Sequence, residues 1–258
     1  LRNDTVMVFN GDVLSGMDLE GILTTHHDKD ADVTMHLLNV ADPRAFGCVP
    51  TDSHGRVTAF LEKTEDPPTN QINAGCYVFK RSVIESIPAN RVVSVERETF
   101  PGLLAEGRLV VGHVDNSYWR DMGRPDDFTR GSSDLVRGIA PSPLIEGKTG
   151  ESLVDPSAGI AGGVLLLSGT AVGRGSEVGA GSRLEGTVVF DGVRIEPGAI
   201  IHNSIIASGA HIGANAVIEN CVIGEGAHIG ARCELLDGMR VFPGVSIPDA
   251  GVRFSSDA

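Results

Sequence analysis

The second half of the chain repeats itself at intervals of 17 residues, and this repeat constrains the fold more than any other feature. Four successive segments, which begin at Val172, Val189, Ile206 and Ile223, align without gaps. Within each segment, aliphatic residues follow at spacings of six, six and five, too wide for one helix face and unlike a hairpin meander. A coil of three short strands fits this spacing, and stacked coils would share one continuous apolar core.

Three aliphatic columns run in register through these segments. They are Val172, Val189, Ile206 and Ile223; Val178, Ile195, Ile212 and Ile229; and Leu184, Ile201, Ile218 and Leu235. The fourth position of each segment is glycine, as expected at a corner that requires a positive φ. This pattern resembles the hexapeptide repeat of left-handed parallel β-helices over roughly residues 164–247, and the resemblance implies the handedness.

Glycine and aromatic residues divide the chain into two parts. Twelve of the 33 glycines lie in residues 1–145 and 21 in the shorter remainder, which has neither Trp nor Tyr. The stretch from Gly138 to Gly150 is rich in proline and glycine, which is typical of a linker. We therefore predict a first domain over residues 1–138, a linker over 139–163, and a β-helix with a C-terminal tail over 164–258.

The first part alternates apolar strand runs with short amphipathic segments, which indicates an α/β domain. The apolar run from Thr5 to Asp12 predicts a strand of a parallel sheet, whose carboxyl end would face a ligand crevice. Helices are predicted near residues 19–23, 82–87, 95–104 and from 125, and further strands near residues 32–40, 57–60, 73–79 and 109–114.

The charge balance and the cysteines exclude several classes of protein. The chain carries 21 basic and 34 acidic side chains, a net charge of −13, which argues against a general nucleic-acid or anionic-membrane surface. Its four cysteines form no C-x-x-C pair, so neither a zinc site nor a disulfide framework is indicated. Without a signal peptide or an apolar run of ~18 residues, we expect a cytoplasmic protein with no membrane partner.

Five short motifs of the first part occur in the order that one known family has. They are N-G-D at residues 10–12, F-G-C-V at 46–49, F-L-E-K at 60–63, N-A-G-C-Y-V-F at 73–79 and W-R-D-M-G-R-P-D-D-F at 119–128. Together with the β-helix they resemble the sugar-1-phosphate nucleotidyltransferases, closest to the mannose-1-phosphate guanylyltransferase branch. Arg124 counts against the thymidylyltransferase relatives, which more often have threonine at this position. The fold that the resemblance implies is a Rossmann-like nucleotidyltransferase domain, here incomplete, before the β-helix.

The resemblance implies a reaction between two anions, in which a sugar phosphate oxygen attacks the α-phosphorus of a nucleoside triphosphate and expels pyrophosphate. Their repulsion must be neutralised, and Mg²⁺ suits this task because it prefers oxygen ligands from one or two carboxylates. By resemblance, Asp12 and Asp121 are the catalytic metal ligands. Lys63 would bind the sugar phosphate, and Glu62 would accept hydrogen bonds from sugar hydroxyls.

The resemblance also assigns substrate contacts to Gly11, Gly47, Asn73 and Gly75, where the glycines would allow close approach of the backbone. Simpler interpretations of the site residues stay open. The two aspartates could serve as a helix cap and an ion-pair partner, Glu62 and Lys63 could form a solvated strand edge, and the glycines could belong to plain turns.

The family's opening G-x-G-T-R loop, which holds the triphosphate, is not found in this sequence. We therefore expect the chain alone to make little or no nucleotide-sugar, either because it belongs to a longer enzyme or because it is a truncated, inactive relative, such as the product of a decaying gene or a non-catalytic partner subunit. The guanylyl and mannosyl specificities are favoured over thymidylyl, uridylyl or adenylyl transfer to glucose 1-phosphate. We also expect self-association into a homo-oligomer through the β-helix.

An alternative is an acyltransferase built on the β-helix, with a histidine as general base. The candidates are His211 and His228, which occupy the same column of adjacent coils as Glu177 and Arg194. Because this column accepts both charges, a solvent-facing ladder is the favoured interpretation.

Overall fold

A computed structural model describes residues 3–61, 63–145 and 147–253 of the chain. The polypeptide divides into two compact units, Leu1–Trp119 and Arg120–Ala258. None of the helices in the described residues combines the length and the apolar character that crossing a bilayer requires. The four cysteines are buried and free, and the sequence likewise indicated no disulfide framework.

A four-stranded sheet forms the centre of the first unit. The strands of this unit are β1 (Thr5–Phe9), β2 (Val13–Ser15), β3 (Val33–Asn39), β4 (Gln71–Lys80) and β5 (Val110–Val114). The order in the sheet is β1-β4-β3-β5, with β4 antiparallel to both of its neighbours and β3 parallel to β5. The two central strands are buried almost throughout, which explains their near-continuous apolar sequences.

Two strand predictions need correction. The run from Thr5 to Asp12 is a strand only as far as Phe9, and its neighbour β4 is antiparallel, so an apolar run did not mark a parallel strand here. The predicted strand at 57–60 was wrong, because its residues make only isolated bridges, such as Thr51 with Val57. Pro50 lies in the facing segment and lacks the N–H that a continuous ladder would need.

Helices α1 (Leu19–Asp28), α2 (Arg81–Ser86) and α3 (Phe100–Ala105) belong to the first unit, together with a 3₁₀ turn at Pro43–Ala45 and a π-helical turn at Val95–Thr99. Asp18 caps α1, because its carboxylate accepts a hydrogen bond from the Glu20 N–H at 3.0 Å. The opposite face of α1 buries Ile22 in a small apolar cluster with Cys76 and Val78 of β4. This contact fixes the chain that follows β1 against the sheet.

The pH dependence of the first unit can be predicted from His26 on α1. Its ring is buried and bonded to Thr34, and burial is the largest cause that lowers its pKa from 6.5 to about 4. Between these values the unfolded chain binds a proton that the folded chain does not, so stability is lost as the pH falls. We expect the free energy of unfolding to drop by about 2 kcal/mol between pH 7 and pH 5.

Urea unfolding of the wild type and of His26→Gln at both pH values checks this prediction. The variant should show a clearly smaller drop, with a remainder from His36, whose pKa burial also lowers. An equal drop in both proteins would show that His26 does not cause it.

Strand β6 (Trp119–Asp121) includes the last residue of the first unit and the first two of the second, and helix α4 (Pro125–Val136) follows in the second unit. The start of α4 is as predicted, with Pro125 in its first turn beside Asp126 and Asp127. The helix packs against the strand Thr170–Val172, and Phe128 stacks on Phe190 with a ring centroid distance of 6.4 Å.

The rest of the second unit is a parallel β-helix with three faces. The first face has strands 152–154, 170–172, 188–189, 205–206, 222–223 and 240–241; the second has 159–160, 177–178, 194–195, 211–212, 228–229 and 246–247; the third has 165–167, 183–185, 200–202, 217–219 and 234–235. The pairing places the residues of each predicted aliphatic column directly on one another. All these column residues are buried, so the prediction of a continuous core is confirmed. The predicted corner glycines, for example Gly209 with φ of 67°, have positive φ.

The β-helix begins earlier than the sequence predicted. Its first strands, Ser152–Val154 and Gly159–Ile160, lie in the predicted linker at 139–163, so that assignment is corrected for these residues. Val154 pairs with Val172, which makes the first coil 18 residues long instead of 17. The extra residue lies at the corner Ser168–Gly169, where both residues have positive φ, and this extra residue hid the coil from a search at one fixed interval.

Candidate active site

A cavity of about 260 Å³ opens in the first unit beside β4. It is lined by Phe46, Gly47, Cys48, Val49, Phe60, Leu61, Asn73, Glu96, Arg97 and Pro101. Three of the five motifs, those at residues 46–49, 60–63 and 73–79, therefore contribute residues to the lining of this cavity. The cavity also contains two predicted substrate-binding residues, Gly47 and Asn73, and a charged pair that no motif indicated, Glu96 and Arg97.

The side chain of Asn73 is held by three hydrogen bonds. Its amide nitrogen Nδ2 donates to the phenol oxygen of Tyr77 at 2.6 Å and to Oε1 of Glu96 at 2.7 Å. Its amide oxygen Oδ1 accepts from the N–H of Gly75 at 3.1 Å. Both amide protons are thus used inside the protein, so one lone pair of Oδ1 is what this side chain can still offer a ligand.

Gly75 makes room for the side chain of Asn10 from the N-G-D motif. The φ of Gly75 is 80°, and a Cβ atom built there would lie 3.0 Å from Nδ2 of Asn10. The backbone of Asn10 is bonded to Gly75 as well, through an N–H to C=O hydrogen bond of 2.7 Å. Glycine is therefore required for its conformation and for the close approach of the end of β1.

Tyr77 joins these groups in the interior of the unit. The phenol is buried, with rings of Phe79 and Phe100 at centroid distances of 6.0 and 5.1 Å. Burial raises the pKa of Tyr77 to about 12, while hydrogen bonds from Asn73 and Asn10 act in the opposite direction. The phenol stays protonated at neutral pH and can both accept and donate a hydrogen bond.

Glu96 and Arg97 lie on the π-helical turn Val95–Thr99, where the sequence pattern predicts the start of one helix over residues 95–104. In this turn the N–H of Phe100 bonds to the carbonyl oxygen of Val95, five residues earlier. Pro101 follows directly and has no N–H to donate. A proline one turn into the predicted helix was the available sequence signal that the helix is irregular there. Irregular turns of the π-helical type often occur at functional sites.

An aromatic contact supports the lining residue Phe46. Phe46 packs edge-on against Trp119 at a centroid distance of 5.8 Å, and the indole nitrogen of Trp119 donates to the carbonyl oxygen of Ala74 at 2.9 Å. Gly47 follows Phe46 with a φ of 74°, so the backbone turns into the cavity at this residue. The loop with the F-G-C-V motif is thereby tied to the beginning of β4.

The structure places the other predicted site residues as follows. Gly11 and Asp12 are exposed in the first unit after β1, and Lys63 is exposed shortly after the lining residue Leu61. Glu62 lies outside the described residues. Asp121 is exposed in the second unit, where its Oδ1 accepts the N–H of Gly123 at 2.9 Å.

The predicted roles of these residues in metal and substrate binding stay predictions. In the described part of the chain, no three side chains of His, Cys, Asp or Glu form a cluster that could hold a metal. The bond from Gly123 uses Oδ1 of Asp121 and not Oδ2. Carboxylate oxygens are the ligands that Mg²⁺ prefers.

The lining of the cavity combines apolar and charged side chains. Apolar surface from Phe46, Val49 and Phe60 can cover the flat face of a small ring, while Glu96 can accept hydrogen bonds and Arg97 can bind an anion. Such a combination suits a ligand that has hydroxyl groups and a negatively charged group.

Two family models match the chain. The nucleotidyl transferase model matches residues 1–138, and the model of the GMPPB C-terminal domain matches residues 148–252. Together they cover both the α/β unit and the β-helix. The resemblance that the five motifs carried is therefore confirmed.

Three relatives illustrate how far the similarity extends. A mannose-1-phosphate guanylyltransferase from Mycobacterium tuberculosis is 65% identical over all 258 residues, which cover 72% of that protein. Mannose-1-phosphate guanylyltransferase 1 from Arabidopsis thaliana is 36% identical over 69% of this chain and 50% of its own length. The catalytic subunit beta from Drosophila melanogaster is 30% identical over 62% of this chain and 44% of its own. The family model and the first relative show that the chain belongs to the nucleotidyl transferase family, on the branch of the mannose-1-phosphate guanylyltransferases.

Proposed function

We propose that the protein to which this chain belongs transfers a guanylyl group from GTP to mannose 1-phosphate, forming GDP-mannose and pyrophosphate. The observation that carries this proposal is the 65% identity, over the whole chain, with a mannose-1-phosphate guanylyltransferase. In the reaction a phosphate oxygen of the sugar phosphate forms a bond to the α-phosphorus of GTP, and the bond from that phosphorus to the β-phosphate oxygen breaks.

The cavity of the first unit supports this proposal as the sugar phosphate site. Its volume of about 260 Å³ is below the ~300–1,000 Å³ of pockets for drug-sized ligands, as expected for one monosaccharide. We propose that the ring packs against the side with Phe46 and Phe60, that the hydroxyls face Asn73 and Glu96, and that Arg97 attracts the phosphate.

Asp12, Asp121 and Lys63 keep the roles that the family resemblance implies. The two aspartates would each provide a carboxylate oxygen to Mg²⁺, which supplies positive charge against the repulsion between the two anionic substrates. Lys63, which is exposed, would add its ammonium group to the sugar phosphate. Gly11 would place its backbone beside the substrate without a side chain in the way.

Turnover assays test the proposed function. Pyrophosphate release and GDP-mannose formation are measured with GTP, mannose 1-phosphate and Mg²⁺, in the chain and in the chain preceded by a segment with a G-x-G-T-R loop. We expect the highest kcat/KM with GTP and mannose 1-phosphate among pairs that include dTTP, UTP, ATP and glucose 1-phosphate. A preference for another pair would contradict the proposal, and no turnover in either form would favour a non-catalytic subunit.

The same protein samples decide two further questions. Acetyl-coenzyme A turnover that disappears in His228→Ala would favour the acyltransferase alternative. In the structure His228 packs edge-on against His211, which lies 3.1 Å from Glu196, within a ladder that continues from Arg194. Light scattering on the eluting protein tests the predicted homo-oligomer, and a monomer mass at micromolar concentration would contradict it.

A further inference from the structure

We infer that Glu96 determines which sugar phosphate the cavity accepts, and that Tyr77 and Asn73 position its carboxylate for this task. The inference rests on the proposed function and adds to it a residue that selects among sugars. It follows from a chain of hydrogen bonds that runs from the interior of β4 to the wall of the cavity.

One oxygen of the Glu96 carboxylate is fixed by the protein. Oε1 accepts from Nδ2 of Asn73 at 2.7 Å, and the phenol of Tyr77 approaches the same oxygen at 3.5 Å. A carboxylate held by a charge-assisted hydrogen bond of this length has a defined orientation. The second amide proton of Asn73 is donated to Tyr77. The amide nitrogen therefore has no proton left for a ligand, and its main role is to hold Glu96.

Tyr77, at the inner end of this series of hydrogen bonds, is held in place because it is packed in the apolar core. Its side chain is 1% exposed and lies between the rings of Phe79 and Phe100. The side chain of Asn10 fills the space that Gly75 leaves open on β4. The position of the Glu96 carboxylate is therefore set before any ligand binds, which lowers the entropic cost of using it.

The second oxygen of Glu96 is available to a ligand. Within residues 3–61, 63–145 and 147–253 the structure gives Oε2 no hydrogen-bond partner, and Glu96 is an exposed residue in the cavity wall. A sugar hydroxyl can donate to this oxygen. Because epimeric sugars direct one hydroxyl along different axes, an acceptor that is fixed in space bonds one epimer and leaves the other unpaired.

Affinity measurements on the whole chain test this inference. In Glu96→Gln the side chain keeps its size and can still accept from Asn73, but it loses the charge. We expect the dissociation constant of mannose 1-phosphate, measured by calorimetry, to rise about 10- to 100-fold. The constant for glucose 1-phosphate should change less, so that the preference between the two sugars narrows.

Glu98→Gln is the matched control. It removes the same charge from the same π-helical turn, but Glu98 bonds to Arg91 and to the N–H of Ser94 and does not line the cavity. Its affinity for mannose 1-phosphate should equal that of the wild type. Glu96→Gln with unchanged affinities and unchanged preference would overturn the inference while the proposed function stands.

Tyr77→Phe tests the positioning role. When Glu96 is present, loss of the phenol oxygen should weaken mannose 1-phosphate binding about 3- to 10-fold. In a Glu96→Gln background the same substitution should have no further effect, because Tyr77 acts through Glu96. If the affinity losses of Tyr77→Phe and Glu96→Gln multiply in the double variant, Tyr77 has a merely structural role, and its positioning of Glu96 is overturned. If the wild type bound no mannose 1-phosphate at all, the proposed function and the inference would both fail.

Discussion

Ile201→Ala is expected to lower the free energy of unfolding of the β-helix by about 2–5 kcal/mol, one of the two largest effects that we predict for this chain. The side chain of Ile201 is fully buried on the third face, between Leu184 and Ile218 of the neighbouring coils. Removal of three carbon atoms leaves a cavity that rigid, hydrogen-bonded coils cannot close.

The neighbouring Ile200 provides a control of the same residue type in the same strand. Its side chain is 40% exposed on the outer surface, because successive residues of a strand point to opposite sides. Ile200→Ala should cost less than about 1 kcal/mol. The melting temperature and the urea midpoint of the β-helix transition measure both changes. Equal losses in the two variants would contradict the inside and outside assignment of this strand.

Asp12→Asn is expected to reduce kcat by at least about 100-fold in an active form of the protein. Stabilisation of transition-state charge by a metal is worth several kcal/mol, and each 1.36 kcal/mol corresponds to a factor of ten in rate. Asparagine has nearly the same shape but no charge for Mg²⁺. Since Asp12 is exposed, the melting temperature should stay within about 2 °C of the wild type. Initial rates over a range of Mg²⁺ concentrations measure the effect.

Asp121→Asn should cause a loss of similar size. Its amide oxygen can still accept the N–H of Gly123, so the local turn is kept while the charge is lost. Asp126→Asn, in the exposed first turn of α4, removes an equal charge from a residue without a predicted catalytic role and should leave kcat unchanged. Full activity in Asp12→Asn or Asp121→Asn would remove that residue from the proposed metal site.

The β-helix shows how much a repeat can predict. Its core columns, its corner glycines and its stacked coils followed from the spacing alone, because each coil buries the same positions against the next. The first coil was missed since one extra residue at Ser168–Gly169 breaks the interval. A search at one fixed interval finds only coils of equal length. The backbone, however, tolerates a longer corner where two residues adopt positive φ, and such a coil escapes the search.

The α/β unit shows what the motifs could not predict. They identified Gly47 and Asn73, which line one cavity, but they did not show that the two amide protons of Asn73 bond to Tyr77 and Glu96. Glu96 itself was not identified, because its position depends on a π-helical turn and on a contact between residues 23 apart in the sequence.

The sequence by itself determined the α/β unit, the β-helix and the family, because these depend on periodic burial and on short motifs that lie along the chain. Only the tertiary structure decided which polar groups meet. It brought Asn10, Asn73 and Tyr77 together with Glu96, and it left one carboxylate oxygen of Glu96 for a ligand. Hydrogen bonds form between atoms a few ångströms apart, and such distances follow from packing of the whole unit, which no local pattern records.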